Sequence, residues 1–275
     1  MDLKALKDTP PWDWPDGTAE KLLSILRDEQ APEPDRVLAS EMAGDFTVVN
    51  DELVDALLTV LRSSGESELA RARAAISLGP VLEYADTEGF DNGGDLPISE
   101  RTFRRIQESL RELYMDAQTP REVRRRILEA SVRAPRDWHQ NAVCAAYASD
   151  DDAWKLTAVF CMRFVRGFDE QIVKELDNRN ADIRLEAFLA AGNWGVEAAW
   201  PHVAALINSD GTPKPLLLAA IEAVPSIRPQ EASEVLSGLT ESGDEDIVDA
   251  VYEALAMAEG SSGEDEDDAD DPFLE

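Results

Sequence analysis

Asn180–Gly195 reads NADIRLEAFLAAGNWG. It reads as one amphipathic helix with a loop and an acid, Asp182, at its front end, where a carboxylate complements the helix dipole. Ile183, Ala187, Ala190 and Ala191 then fall at helical spacing, so one face of the helix is both apolar and small. Small side chains are needed where two helices cross closely, because bulk at the crossing pushes the axes apart. A helix with such a face needs another helix like itself to pack against.

The rest of the chain supplies them. Helices are expected near 18–28, 34–43, 50–62, 66–85, 99–116, 120–133, 136–148, 151–166, 169–177, 181–194, 197–208, 213–224, 229–241 and 245–258. The second members of successive pairs start near 120, 151, 181, 213 and 244, a period of about thirty residues. Ala187, Ala219 and Ala250 repeat in register, as do Ala191 and Ala223. A lone helical hairpin cannot bury its second apolar face, so the pairs must stack. The expected fold class is all-α, an α-solenoid of about six to seven stacked antiparallel helix pairs over 17–258. Residues 1–16 form a lead-in, in which Trp12 and Trp14 are expected to cover the open end. Residues 259–275, EGSSGEDEDDADDPFLE, form an acidic tail expected to be disordered. Phe273 and Leu274 are a candidate docking motif at its end. Pro80 should kink or end the helix over 66–85.

Composition narrows the function classes. The formal charge is −31, from 57 Asp and Glu against 26 Lys and Arg, with only six Lys among them. An acidic, Lys-poor surface suits a salt-rich cytoplasm, where screening weakens self-repulsion, and points to a halophile. The same charge disfavours nucleic acid and anionic membrane as partners. The most apolar run, 153–165, is too short to span a bilayer. The N-terminus has no apolar leader run, so a cytoplasmic protein is expected. Cys144 and Cys161 lie in apolar stretches and are expected to be buried free thiols.

No nucleophile–base motif, phosphate-binding loop or paired Cys motif occurs. The acids of 86–98 do not follow EF-hand spacing, which leaves that segment as a solvated loop. The two His, His139 and His202, lie too far apart in the repeat to share a metal. No catalytic residue, metal or cofactor is expected.

Two clusters stand out. Trp138, His139, Trp154, Arg163, Asn193, Trp194, Trp200 and His202 crowd into one window, and these are residue types that anchor partners. Arg163-Phe164 and Asn193-Trp194 end successive second helices, so they should line up as a row on one face. The competing reading is that the Trp fill gaps between repeats and Asn193 caps a helix. Residues 100–136 carry ten Arg against six acids, and Arg121, Arg124 and Arg125 are spaced to share a helix face. They either pair with neighbouring acidic helices or form a basic patch that docks an acidic partner, including the protein's own tail.

Asp182–Gly192, with Asp, apolar, Arg and then Ala, Ala and Gly in order, resembles the second helix of HEAT repeats, in the short form also seen in PBS-lyase-type proteins. Glu68–Gly79 and Asp246–Ala256 resemble it in degraded form. The resemblance implies that Arg71, Arg124 and Arg184 tie one layer to the next, although Trp154 and Val248 break the series. It implies a non-catalytic scaffold that binds another protein through a face of repeats 120–225. The alternative is a bilin-lyase-like or chaperone-type protein, which needs a deep pocket with an acid and an aromatic wall.

Overall fold

The computed structural model describes residues 3–91 and 96–263, the last three by their backbone alone. Among the described residues every regular element is a helix. The chain divides into two compact units, Met1–Ala142 and Val143–Glu275.

The first unit contains α1 (Leu3–Lys7), α2 (Thr18–Arg27), α3 (Glu33–Met42), α4 (Asp51–Arg62), α5 (Glu68–Ser77), α6 (Gly79–Glu88), α7 (Glu100–Met115), α8 (Arg121–Ser131) and the start of α9 (Trp138–Tyr147). Helices α2/α3, α4/α5 and α7/α8 are antiparallel pairs. Their second members stack in the order α3, α5, α8, and their first members in the order α2, α4, α7. Leu22, Leu53, Leu57, Leu61, Leu78, Ile106 and Ile127 are fully enclosed between the two rows. Side-chain caps set the helix starts: Asn50 accepts the Leu53 N–H, Ser67 that of Ala70 and Ser99 that of Thr102.

The second unit contains the end of α9, α10 (Asp152–Cys161), α11 (Asp169–Glu175), α12 (Ala181–Trp194), α13 (Trp200–Ile207), α14 (Lys214–Ile227), α15 (Ala232–Leu236) and α16 (Glu245–Gly263). Second helices α10, α12, α14 and α16 pack in series, with α11, α13 and α15 each backing the helix that follows. The second helices from α8 onward start at residues 121, 152, 181, 214 and 245, each within one residue of the sequence reading. The small residues sit where expected. Ala187, Ala190, Ala191, Ala219 and Ala223 are buried, and a Cβ on Gly192 would lie 3.1 Å from Ala223 Cα.

Several elements depart from expectation. The helix read over 66–85 is two helices: α5 stops at Ser77 and α6 restarts with Pro80 in its first turn, where a missing N–H costs nothing. Pro201 likewise sits in the first turn of α13, which begins at Trp200 after a short 3-10 turn rather than at 197. Trp14 packs on the core and donates its indole N–H to the Leu6 and Thr9 carbonyls, both at 3.0 Å, whereas Trp12 is 78% exposed and covers nothing. Cys161 is buried, but Cys144 is exposed, because it lies on the outer side of α9. Helix α16 continues past the expected end at 258 to Gly263. Residues 92–95 of the acidic insertion and 264–275 of the tail, with Phe273 and Leu274, lie outside the described residues.

The repeated arginines do a different job from the one the resemblance implies. Arg71 Nε donates to the Leu61 carbonyl at 2.9 Å, and Arg184 Nη1 to the Asn178 carbonyl at 2.9 Å. Each therefore reaches back across its own hairpin, Arg71 to the last turn of α4, where carbonyls lack intrahelical partners, and Arg184 to the loop that follows α11. Arg36 does the same at Ile25, Leu26 and Asp28, and also pairs with Glu66 of the next hairpin.

Candidate interaction surface

In the second unit, helical spacing leaves one row of each second helix outside the packed core. On α10 and its C-terminal turn the row is Leu156, Phe160, Arg163 and Phe164; on α12 it is Glu186, Leu189 and Asn193; on α14 it is Leu218 and Glu222. Phe160, Arg163, Phe164, Glu186 and Leu189 are half-buried, and Asn193 and Glu222 are exposed.

Arg163 is the centre of this face. Its guanidinium lies 5.7 Å from the ring centres of both Phe160 and Phe164, and those rings are 5.4 Å apart. Its Nη1 reaches Glu186 at 3.4 Å, a long contact for a charge-assisted bond. Its Nε is buried and meets no acceptor. The group is thus a cation beside a contacting pair of phenyl rings, with one buried donor unbonded.

Asn193 and Trp194 lie at the end of α12 and face the end of α10. Asn193 Nδ2 donates to the Arg163 carbonyl at 2.9 Å, and Trp194 Nε1 donates to the Met162 carbonyl at 2.6 Å. Both carbonyls lie just past the end of α10, at its C-cap Met162 and the residue after it, where oxygens lack intrahelical partners. The pair therefore caps the preceding repeat, and Arg166 lies over the Trp194 ring at 4.4 Å. Both polar groups of Asn193-Trp194 that the row was read from are spent on layer-to-layer contact.

The remaining candidates are scattered. Trp154 and Trp200 are half-buried on α10 and α13, and His202 Nδ1 lies 3.4 Å from Asp177 on the first-helix side of the unit. Trp138 and His139 belong to the first unit. Their rings stack at 3.8 Å, and Tyr114 lies 5.0 Å from Trp138 on α7. His139 is 1% exposed; its Nδ1 accepts the Arg136 backbone N–H and its Nε2 meets Ser131 Oγ. Burial lowers its pKa to about 4. It is a neutral interior residue, out of reach of a partner.

The basic trio is similarly divided. Arg125 is 7% exposed and bonds Glu122 and Glu129 of its own helix, at 2.6 Å and 2.8 Å. Those bonds with Arg125 hold the Glu122 carboxyl below its ordinary range. Arg124 is half-buried with an unbonded Nε, and Arg121 is exposed. Arg125 pairs with acids one turn away on α8, while elsewhere in 100–136 Arg105 pairs with Asp55 of α4 and Arg133 with Glu83 of α6.

One cluster has no counterpart in the sequence reading. Glu175, 2% exposed, accepts Tyr147 Oη at 2.6 Å and Asn178 Nδ2, and lies 3.2 Å from Lys155 Nζ. Burial pushes the Glu175 carboxyl up, but these three donors together hold it below its ordinary range. Burial and the adjacent carboxylate push the Tyr147 hydroxyl well up. The four residues join the ends of α9, α10 and α11. Among the described residues no group of three or more His, Cys, Asp or Glu is placed to hold a metal ion, and no helix is long and apolar enough to cross a membrane.

No family model matches the chain, and no curated protein matches it. Similar solved structures include YibA of Escherichia coli, 14% identical over 90% of this chain and 84% of that one, with a TM-score of 0.49. Human deoxyhypusine hydroxylase, solved with glycerol, is 16% identical over 91% and 87%, with a TM-score of 0.40. Computationally designed armadillo repeat proteins for modular peptide recognition are 16% identical over 86% and 98%, with a TM-score of 0.36. These likenesses are distant, and the architecture rests on the chain's own helix packing.

Proposed function

We propose that the second unit is a protein-docking scaffold, with Arg163 beside the Phe160–Phe164 pair as its anchor. The observation that carries the reading is the reserve of this arginine. It is half-buried, lies beside two aromatic rings, has an unbonded Nε, and is held to Glu186 only at 3.4 Å. Arginine in an aromatic frame is a common centre of binding energy at interfaces. An apolar frame also suits a −31 protein working in a salty cytoplasm, since screening weakens ionic contacts more than burial of phenyl rings. Asn193 and Trp194 hold α12 against α10 and so keep the row in register; their own donors are not part of the docking surface.

Crosslinking mass spectrometry on cells expressing tagged wild type, Arg163→Gln and Trp194→Phe separates these roles. Arg163→Gln should lose specific crosslinks to this face while melting within a few degrees of wild type. Trp194→Phe should melt lower yet keep those crosslinks below its melting range. Identical crosslinks for wild type and Arg163→Gln would refute the assignment.

A further inference from the structure

The first unit has a groove of about 440 Å³ between the middle of α7 and the segment leading into α9, walled by Gln107, Glu108, Arg111, Arg136, Asp137 and Trp138. That volume falls in the range of ligand clefts, on the order of 300–1,000 Å³. Arg136 Nη2 donates to Gln107 Oε1 at 3.0 Å, which sets the orientation of the amide. Gln107 Nε2 is then left buried without an acceptor, and a buried donor without an acceptor is unfavourable. Arg111 is exposed and makes no ion pair among the described residues, in a protein where acids outnumber cations about two to one. Trp138 is a fixed wall, held by Tyr114 and His139. Glu108 and Asp137 are exposed acceptors at the rim.

We infer that this groove binds the side-chain carboxylate of an acidic residue within a peptide. The carboxylate accepts from the exposed Arg111, and an adjacent aromatic residue packs on Trp138. The rim carboxylates take the peptide's main-chain N–H groups, which a free carboxylate lacks, so the ligand is a peptide. The inference uses residues of the first unit alone, and its failure leaves the Arg163 reading standing.

The test follows the indole N–H signals of the six tryptophans in the ¹⁵N-labelled full chain, with Trp138→Phe identifying one of them. Titration with acetyl-Glu-Phe-amide should shift the Trp138 signal saturably. Acetyl-Gln-Phe-amide should bind about tenfold more weakly or less, the loss expected for one charge-assisted bond. Arg111→Gln should weaken the Glu peptide by a similar factor with an unchanged melting temperature, since Arg111 has no ion pair to lose. Phenylacetate should give no comparable shift. Absence of a shift, equal binding of the Gln peptide or of phenylacetate, or an unaltered affinity in folded Arg111→Gln overturns the inference.

Discussion

Glu175→Gln changes one atom's worth of shape and removes the charge around which α9, α10 and α11 meet. In the wild type the carboxylate accepts from Tyr147, Asn178 and Lys155 at once. The amide keeps one acceptor oxygen for Tyr147. Its NH₂ then faces the Asn178 NH₂, donor against donor, and Lys155, itself only 27% exposed, loses its counter-charge. A hydrogen bond to a charged group contributes about 1.5–3 kcal/mol, and removing one partner of a buried pair costs about 3–5 kcal/mol. Lys155 retains some water, so the lower end applies, about 3 kcal/mol. At a urea m-value of about 2 kcal/mol/M, that is a midpoint lowered by about 1.5 M, read by far-UV circular dichroism at pH 7. The effect also has a pH signature. Donors hold the folded carboxyl below its ordinary value of 4.5, so on acidification the unfolded chain takes up the proton first. The stabilisation is complete above about pH 4.5 and is lost as pH falls through the lower folded value. The variant does not titrate there, so the gap between the two proteins should narrow below about pH 4.5. A variant within about 0.5 kcal/mol of wild type at pH 7, or a gap as wide at pH 3.5 as at pH 7, would refute this account.

Gly44→Ala should destabilise the first unit by about 1–3 kcal/mol, because its Cβ would fall 2.0 Å from the Ser77 carbonyl oxygen at the α3–α5 contact. Gly211→Ala, with nothing within 4 Å, serves as the control, and equal melting temperatures for the two variants would contradict the packing. The His139 imidazole should show no proton uptake by NMR between pH 8 and 5.5 and should titrate near pH 4. Its depressed value means that it favours the fold above about pH 6.5 and that this contribution is lost as pH falls toward 4; a midpoint near 6.5 would place the ring in water.

Much of the repeat was readable from short stretches. Asn50 caps the helix it was expected to cap, since a cap bonds only two or three residues away. The register of second helices followed from Ala187, Ala219 and their equivalents, since a crossing selects for small size whatever lies opposite. The candidate site was legible only in part. Arg163-Phe164 does lie on a half-buried row outside the packed core, but Trp138 and His139 belong to another unit, and His139 is interior. Nothing in a run of sequence distinguishes a histidine on a helix surface from one folded back onto Ser131.

Helical periodicity and side-chain size determined the all-α class, the thirty-residue repeat and the faces that pack, because each depends on neighbours a few residues apart. Tertiary structure decided how the polar groups are spent. Asn193 and Trp194 look like a binding pair in sequence and serve as a cap for α10, thirty and thirty-two residues back. Tyr147 and Glu175, twenty-eight residues apart, carry no sign in sequence of being partners and share a part-buried bond. A donor's partner is set by where another helix ends in space, and that position emerges only once the pairs have stacked.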